Sequence, residues 1–127
     1  MRKLILVLSV AFIVALMLTA CGGDGGAEDE PVASAGDAVA GEDLFLVCAG
    51  CHGPDAKGLP NNGKDLTTSA FLKDLTDDEF VAFIKTGRSI SDPENTTGVD
   101  MPPKGGNPAF SEEDLVNIVA YVRTLAE

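Results

Sequence analysis

Residues 48–52 of this 127-residue chain read Cys48-Ala49-Gly50-Cys51-His52 and so place two thiols and an imidazole within five positions. His52 is the single histidine, and the chain holds only one further cysteine. A structural zinc site uses four such ligands, so it cannot be assembled here in the usual way. A thioredoxin-like redox pair needs a βαβ setting, and no convincing stretch of the chain alternates polar and apolar residues. A plain disulfide stays open if the protein is exported.

The same five residues form a C-x-x-C-H motif, which is the attachment sequence of c-type haem. Two thiols three positions apart on a helical turn reach the two vinyl groups at one porphyrin edge and form thioethers there. The adjacent imidazole can then ligate the iron. We therefore predict one covalent haem c with its iron, held through Cys48 and Cys51, with His52 as an axial ligand.

The first 20 residues predict an export signal. Arg2 and Lys3 precede residues 4–18, which are apolar or small apart from one serine. This stretch is shorter than the about 20 residues that a membrane span needs. Residues 18–21 read LTAC and resemble the lipobox of bacterial lipoproteins, so Cys21 is the predicted lipidation site. The alternative is an uncleaved anchor helix with an incidental cysteine.

Residues 21–36 are predicted to form a lipidated flexible tether. After its cysteine this segment reads GGDGGAEDEPVASAG, with no aromatic residue and no periodicity. About 15 residues of such coil have an r.m.s. reach of about 20 Å, which keeps the domain near its membrane. The folded domain is then predicted over residues 37–127.

Three helical segments are predicted in this domain. The last begins at Ser111, which forms a cap with Asp114 and precedes a stripe of apolar residues at helical spacing. Another begins at Thr76, with Glu79 completing a capping box, and ends before a glycine. The first spans residues 38–48 and runs into the C-x-x-C-H motif. The fold class is therefore all-α with long irregular connections.

Residues 54–73 and 88–110 form those connections, and both are rich in Gly, Pro, Asn and Asp. Loops this long in a small domain indicate either disorder or a function. Met101 lies in the second loop, where Pro102 and Pro103 stiffen the backbone after it. The other two methionines lie in the predicted signal peptide. Met101 is thus the thioether left to ligate the iron, and the alternative is a methionine packed in the core.

With these residues in place, residues 37–127 resemble the class I c-type cytochromes. The attachment motif lies near the start of the domain, the methionine loop near its end, and a final helix containing Tyr121 follows. The resemblance implies three or more short helices and long loops around one covalently bound haem. It also implies that the first and last helices cross at a small residue, expected at Ala40 or Gly41, with Leu44 and Tyr121 in contact.

The resemblance implies two further features near the haem. Relatives often carry a Gly-Pro-x-Leu stretch whose proline carbonyl accepts the N–H of the ligand imidazole. The equivalent stretch here is residues 63–66, which read GKDL. The Lys64 carbonyl is therefore expected to accept that bond, and Leu66 to pack on the ring. Arg88 resembles positions that in relatives lie near a haem propionate.

His52 and Met101 would together fill both axial positions, which leaves the iron no vacancy for a substrate. We therefore expect no enzyme and no small-molecule substrate, but a membrane-tethered cytochrome that passes single electrons between respiratory or photosynthetic partners. One alternative is a fixed haem c subunit of a terminal oxidase, nitric oxide reductase or alternative complex III. Another is an enzyme or gas sensor in which Met101 dissociates.

The net charge limits the kinds of partner that this chain can bind. The chain has 20 acidic and nine basic residues, which give a net charge of −11. Two bases leave with the signal peptide, so seven bases and 20 acids remain, a net charge of −13. Such a chain lacks the basic patch that nucleic acid requires and favours docking onto basic redox partners. The lipid anchor is expected at the outer face of the cytoplasmic membrane or in the periplasm, with the outer membrane as an alternative.

Overall fold

The computed structural model describes residues 36–127, so the predicted signal peptide, Cys21 and nearly all of the tether lie outside the described residues. The described part forms four α-helices and a short 3-10 helix, in the order α1 (Ala38–His52), α2 (Ala70–Asp74), α3 (Asp77–Thr86), the 3-10 helix (Pro103–Gly106) and α4 (Glu112–Leu125). The predicted all-α class is confirmed. None of these helices is long and apolar enough to cross a membrane.

Helix α1 carries the cysteine motif within its last turn. It begins at Asp37, whose carboxylate accepts backbone N–H groups of the first turn. It ends at Gly53, whose φ of 78° lies in the left-handed region. The sequence places the end of this helix at Cys48, but the helix continues through Gly50 to His52 and ends only at Gly53, where the backbone turns left-handed.

Both predicted capping boxes are present, at the starts of α3 and α4. The Thr76 hydroxyl accepts the Glu79 N–H at 3.3 Å, and the Glu79 carboxylate accepts the Thr76 N–H at 2.8 Å. Ser111 and Asp114 form the same reciprocal pair at 3.1 and 2.8 Å. The backbone N–H of each cap residue holds the pKa of the facing carboxyl below its ordinary value of 4.5 for Glu79 and 3.8 for Asp114.

Helices α1 and α4 cross at Gly41. A Cβ at this position would lie 2.9 Å from the Tyr121 Cβ and closer still to the carbonyl oxygen of Asn117. Only glycine therefore lets the two backbones approach this closely. Of the two residues expected at the crossing, Gly41 rather than Ala40 occupies it.

Phe45 lies one turn after Gly41 and on the same face of α1. It is 2% exposed, and its ring centroid lies 5.4 Å from that of Tyr121 at an interplanar angle of 56°. The expected partner of Tyr121, Leu44, is therefore wrong by one residue. Leu44 instead packs against the core while partly exposed.

Helix α2 was not expected from the sequence, since five residues are too few to show a helical period. Its start is capped by Ser69, whose hydroxyl accepts the Leu72 N–H at 3.3 Å. Its end is held by Arg123 of α4, which donates to the Leu72 and Leu75 carbonyls at 2.6 Å each and to the Asp77 carboxylate at 2.9 Å. A distant side chain thus stabilises this short helix.

Candidate haem site

A large cavity lies between α1, α3, α4 and the two long loops. Its wall is mostly apolar and includes Phe45, Leu66, Leu72, Phe80, Phe83, Ile84, Ile118 and Val122. Three other lining residues, Val47, Phe71 and Val99, are 42%, 40% and 38% exposed. The cavity therefore has a mostly apolar wall and an apolar rim that reaches solvent.

The last turn of α1 brings Cys48, Cys51 and His52 to the wall of this cavity. Cys48 is half-buried and Cys51 is exposed, and both are free thiols rather than a disulfide. Burial raises the pKa of the Cys48 thiol to about 11, so this thiol is neutral at pH 7. The helical turn accounts for the placement, since it carries residues three and four positions apart on one face.

The His52 imidazole is oriented by the loop that follows α1. Its Nδ1 donates to the Lys64 carbonyl at 2.8 Å, as expected from the sequence. A carbonyl can only accept, so Nδ1 carries a proton, and in the neutral ring Nε2 then has the lone pair that a metal would use. Gly63 lets this loop lie against the backbone of α1, because a Cβ there would lie 2.9 Å from the His52 backbone nitrogen and closer still to the Cys51 carbonyl oxygen.

Asp65 fixes the segment that contains the Lys64 carbonyl. Its carboxylate accepts the Thr67 hydroxyl and backbone N–H at 2.7 Å each, and the Thr68 hydroxyl at 3.1 Å. The bond from the Thr67 hydroxyl is the main cause that lowers the pKa of Asp65. Leu66 then donates its N–H to the Ala56 carbonyl at 2.8 Å, so the loop is held on both sides.

Met101 also lines the cavity, although it lies far from the cysteine motif in the sequence. An isolated antiparallel bridge joins it to Arg88, and the two residues exchange N–H···O bonds of 2.8 Å in both directions. The 3-10 helix Pro103–Gly106 follows, and the Lys104 ammonium within it donates to the Phe110 carbonyl at 2.6 Å. The sequence placed Met101 in a loop but gave no sign of the bridge, since a single paired residue leaves no alternating pattern.

Arg88 places a cation on the cavity wall. Its guanidinium carbon lies 4.6 Å from the Phe71 ring centroid and 4.9 Å from that of Phe83. Its Nε lies 3.6 Å from an Asp92 oxygen, which is too long for a hydrogen bond, and this buried nitrogen has no other partner among the described residues. The Gly-Arg pair after α3 was the only sequence signal for this cation, and its contact with the two aromatic rings was missed.

Residues 32–122 match a family model described as cytochrome c oxidase, cbb3-type, subunit III. This match covers more than half of the chain. The chain belongs to the class I c-type cytochromes. Proteins of this family carry covalently bound haem c with its iron, which agrees with the cofactor predicted from the C-x-x-C-H motif.

Two similar cytochromes support this assignment. The chain is 33% identical over 91 residues to cytochrome c4 of Azotobacter vinelandii, an alignment that covers 69% of this chain and 40% of that protein. It is 34% identical over 97 residues to cytochrome c-554(548) of Halomonas halodenitrificans, with 68% of this chain and 94% of that protein covered. The chain thus spans less than half of the first relative and nearly all of the second. No solved structure matches the chain significantly.

The residues of the cavity fit a haem c by their chemistry. The apolar wall suits a porphyrin, and two thiols lie at the end of α1 beside an imidazole whose Nε2 is free to ligate. The Met101 side chain supplies a thioether, and Arg88 supplies a cation that suits a carboxylate. The donor set is thus the one that a covalent haem with two protein axial ligands requires.

Proposed function

We propose that this cytochrome passes single electrons through a haem c attached to Cys48 and Cys51 and ligated by His52 and Met101. The proposal rests on one observation above all: α1 and the Arg88–Met101 bridge, distant in sequence, bring these four side chains to one cavity. When bound, the haem supplies an iron that cycles between two oxidation states one electron apart. With both axial positions taken by protein, the iron would have no open position for a substrate, so the proposed role is electron transfer rather than catalysis.

The residues around the cavity have separate roles in this proposal. The Lys64 carbonyl holds the His52 ring in one tautomer and orientation. The apolar wall keeps water away and thereby favours the less charged ferrous state, as does a thioether ligand. The rim of Val47, Phe71 and Val99 lets a partner protein approach the edge of the cavity.

A redox titration combined with carbon monoxide binding tests this function. The holoprotein should show one reversible one-electron transition, and its ferrous form should bind no carbon monoxide at neutral pH, because the thioether occupies the site that the gas needs. Met101→Ala is the positive control and should bind the gas. Carbon monoxide binding by the unmodified ferrous protein would contradict the carrier function and favour a gas sensor or enzyme.

We further propose that Cys21 carries the lipid anchor, which would hold the exported domain at a membrane facing the periplasm. The LTAC sequence at residues 18–21 and the first helical cap at Asp37 support a short tether between anchor and domain. The mature chain should begin at Cys21 and carry the added mass of its acyl chains, whereas Cys21→Ser should keep residues 1–20 and carry no acyl mass, because cleavage depends on the lipidated cysteine. Mass spectrometry of the purified proteins measures both, and an unmodified chain that keeps residues 1–20 without acyl mass would support an uncleaved anchor helix instead.

A fixed subunit of a larger membrane complex is the second candidate function. The description of the matched family, which names an oxidase subunit, favours it. Mild detergent extraction of native membranes followed by size separation distinguishes the two. A free monomer supports the carrier, and stoichiometric co-purification with other redox subunits supports the fixed subunit.

The acidic composition supports partners with basic docking surfaces, in a respiratory or photosynthetic chain. Once a signal peptide is removed, seven bases face 20 acids. Association with such a partner should slow as ionic strength rises, because salt screens the attraction between opposite charges. Electron-transfer rates measured over a range of salt concentrations test this, and rates that do not depend on salt would contradict it.

A further inference from the structure

Gly87 lies where α3 ends and the pairing with Met101 begins. Its φ of 72° is in the left-handed region, and its N–H donates to the Phe83 carbonyl at 2.8 Å. The residue is buried. A Cβ at this position would lie 2.9 Å from the Pro102 carbonyl carbon and the Pro103 nitrogen, and closer still to the Met101 carbonyl oxygen. The methionine segment therefore lies directly against a residue that has no side chain.

The residue after Gly87 fixes the backbone of Met101 from both sides. The Arg88 N–H donates to the Met101 carbonyl, and the Met101 N–H donates to the Arg88 carbonyl, each at 2.8 Å. Pro102 and Pro103 restrict the backbone immediately beyond. Contacts within the polypeptide thus set the position from which the Met101 side chain extends.

We propose that Gly87 is a positioning residue for the Met101 thioether. Its missing side chain lets residues 101–103 lie against the end of α3, and the bridge at Arg88 then holds the sulfur in place independently of its bond to iron. This inference rests on the proposed ligation by Met101. Such positioning matters because an external ligand binds in proportion to the fraction of molecules in which the sulfur has left the iron.

Gly98 provides a matched control for a substitution at Gly87. Its φ of 73° imposes the same backbone strain on an alanine, and it lies in the loop that begins directly after Gly87, but a Cβ there would have no neighbour within 4 Å. Gly87→Ala and Gly98→Ala therefore differ in the collision with the methionine segment. Their comparison separates positioning of Met101 from general strain.

The test uses ferric holoprotein, the methionine–iron absorption band and titration with imidazole. In Gly87→Ala the band should weaken, and imidazole should bind at least about tenfold more tightly than in the unmodified protein. Gly98→Ala should match the unmodified protein in both measurements. An unchanged band and imidazole affinity in Gly87→Ala would overturn the proposal, as would equal changes in the two variants.

Hydrogen exchange of the unmodified protein tests the same claim if Gly87→Ala does not mature. With the sulfur displaced by saturating imidazole, the amides of Arg88 and Met101 should stay protected, because the polypeptide holds the bridge. Rapid exchange at both amides under imidazole would show that the iron bond holds the loop and would overturn the proposal. Absence of the methionine–iron band in the unmodified protein would refute the ligation itself, whereas an unaffected Gly87→Ala variant refutes only the positioning.

Discussion

At the scale of single residues, the orientation of a candidate ligand depends on residues that hydrogen-bond to it or to the segment beside it. The Lys64 carbonyl orients His52, and the Asp65 carboxylate in turn holds the segment that carries this carbonyl. The first of these relations could be predicted, because the sequence preserves the register of a family stretch at residues 63–66. The second could not, because any acidic residue in a loop has several candidate donors and only the fold selects Thr67 and Thr68.

Replacing Asp65 should show how much its hydrogen bonds to Thr67 and Thr68 contribute to the stability of the holoprotein. Asp65→Ala should lower the thermal unfolding midpoint of the holoprotein, because the Thr67 N–H and hydroxyl lose their acceptor. Asp65→Asn, which keeps one acceptor oxygen, should lower it less. Equal midpoints for Asp65→Ala and the unmodified protein would show that the loop is held without this carboxylate.

The Asp65 carboxyl also makes stability depend on pH. Its pKa in the folded protein lies below the ordinary value of 3.8, mainly because of the Thr67 hydroxyl. The unfolded chain therefore binds the proton first, so the contribution is complete above about pH 5 and is lost as the pH falls through 3.8 toward the lower folded pKa. Asp65→Asn should show a smaller loss of stability on acidification than the unmodified protein.

Arg88 is the second single residue with a measurable consequence. Its guanidinium, which lies against the rings of both Phe71 and Phe83, is a fixed positive charge on the cavity wall. A positive charge near the iron disfavours the ferric state, so Arg88→Gln should lower the reduction potential. Lys85→Gln is the control, since that lysine is exposed and paired with Glu112 and should shift the potential less. Spectroelectrochemistry measures both, and equal shifts would contradict a local role for Arg88.

At the scale of elements, the starts of the longer helices could be predicted and their contacts could not. The two capping boxes depend on residues three positions apart, so the sequence alone determines them. The crossing of α1 and α4 depends on which of two adjacent small residues faces the partner helix, and an apolar helix such as α1 does not reveal its buried face. The sequence therefore left Ala40 and Gly41 as alternatives at the crossing and placed Leu44 where Phe45 contacts Tyr121. Helix α2 was missed because five residues show no helical period and because Arg123, far along the chain, holds its end.

Two glycines of α1 test the crossing directly. Gly41→Ala should destabilise the holoprotein by about 1–3 kcal/mol, because a methyl group collides with the backbone of α4 at Asn117. Gly50→Ala on the same helix meets no neighbour within 4 Å and should be neutral or stabilise by up to about 1 kcal/mol through helix propensity. Denaturant unfolding gives both values, and similar effects at the two positions would contradict the close crossing.

At the scale of the whole described domain, the core and the candidate haem cavity share residues. Phe45, Phe80, Ile118 and Val122 are all at most 3% exposed, and each also lines the cavity. The long loops, residues 54–73 and 88–110, form the rest of the cavity wall. The hydrophobic pattern of the sequence alone could not show this. Binding of haem to the native state should therefore supply a large part of the stability.

Preventing haem attachment tests this dependence. The double substitution Cys48→Ser and Cys51→Ser removes both thioether links, and the haem-free chain should lose cooperative thermal unfolding and most near-ultraviolet circular dichroism. The Cys21→Ser protein keeps both attachment cysteines and should retain cooperative unfolding and the near-ultraviolet signal. A haem-free chain that unfolds cooperatively near the midpoint of the holoprotein would show that the residues of the cavity form a sufficient core without the cofactor.

The measurement that tests the central claim most directly is the absorption spectrum of the ferric holoprotein with and without the Met101 thioether. The unmodified protein should show the weak methionine–iron band, because the bridge to Arg88 brings the only methionine of the described domain to the cavity that His52 lines. Met101→Ala should keep the covalent haem but lose the band, and its reduction potential should fall. Persistence of the band in Met101→Ala, or its absence from the unmodified protein, would contradict ligation by His52 and Met101.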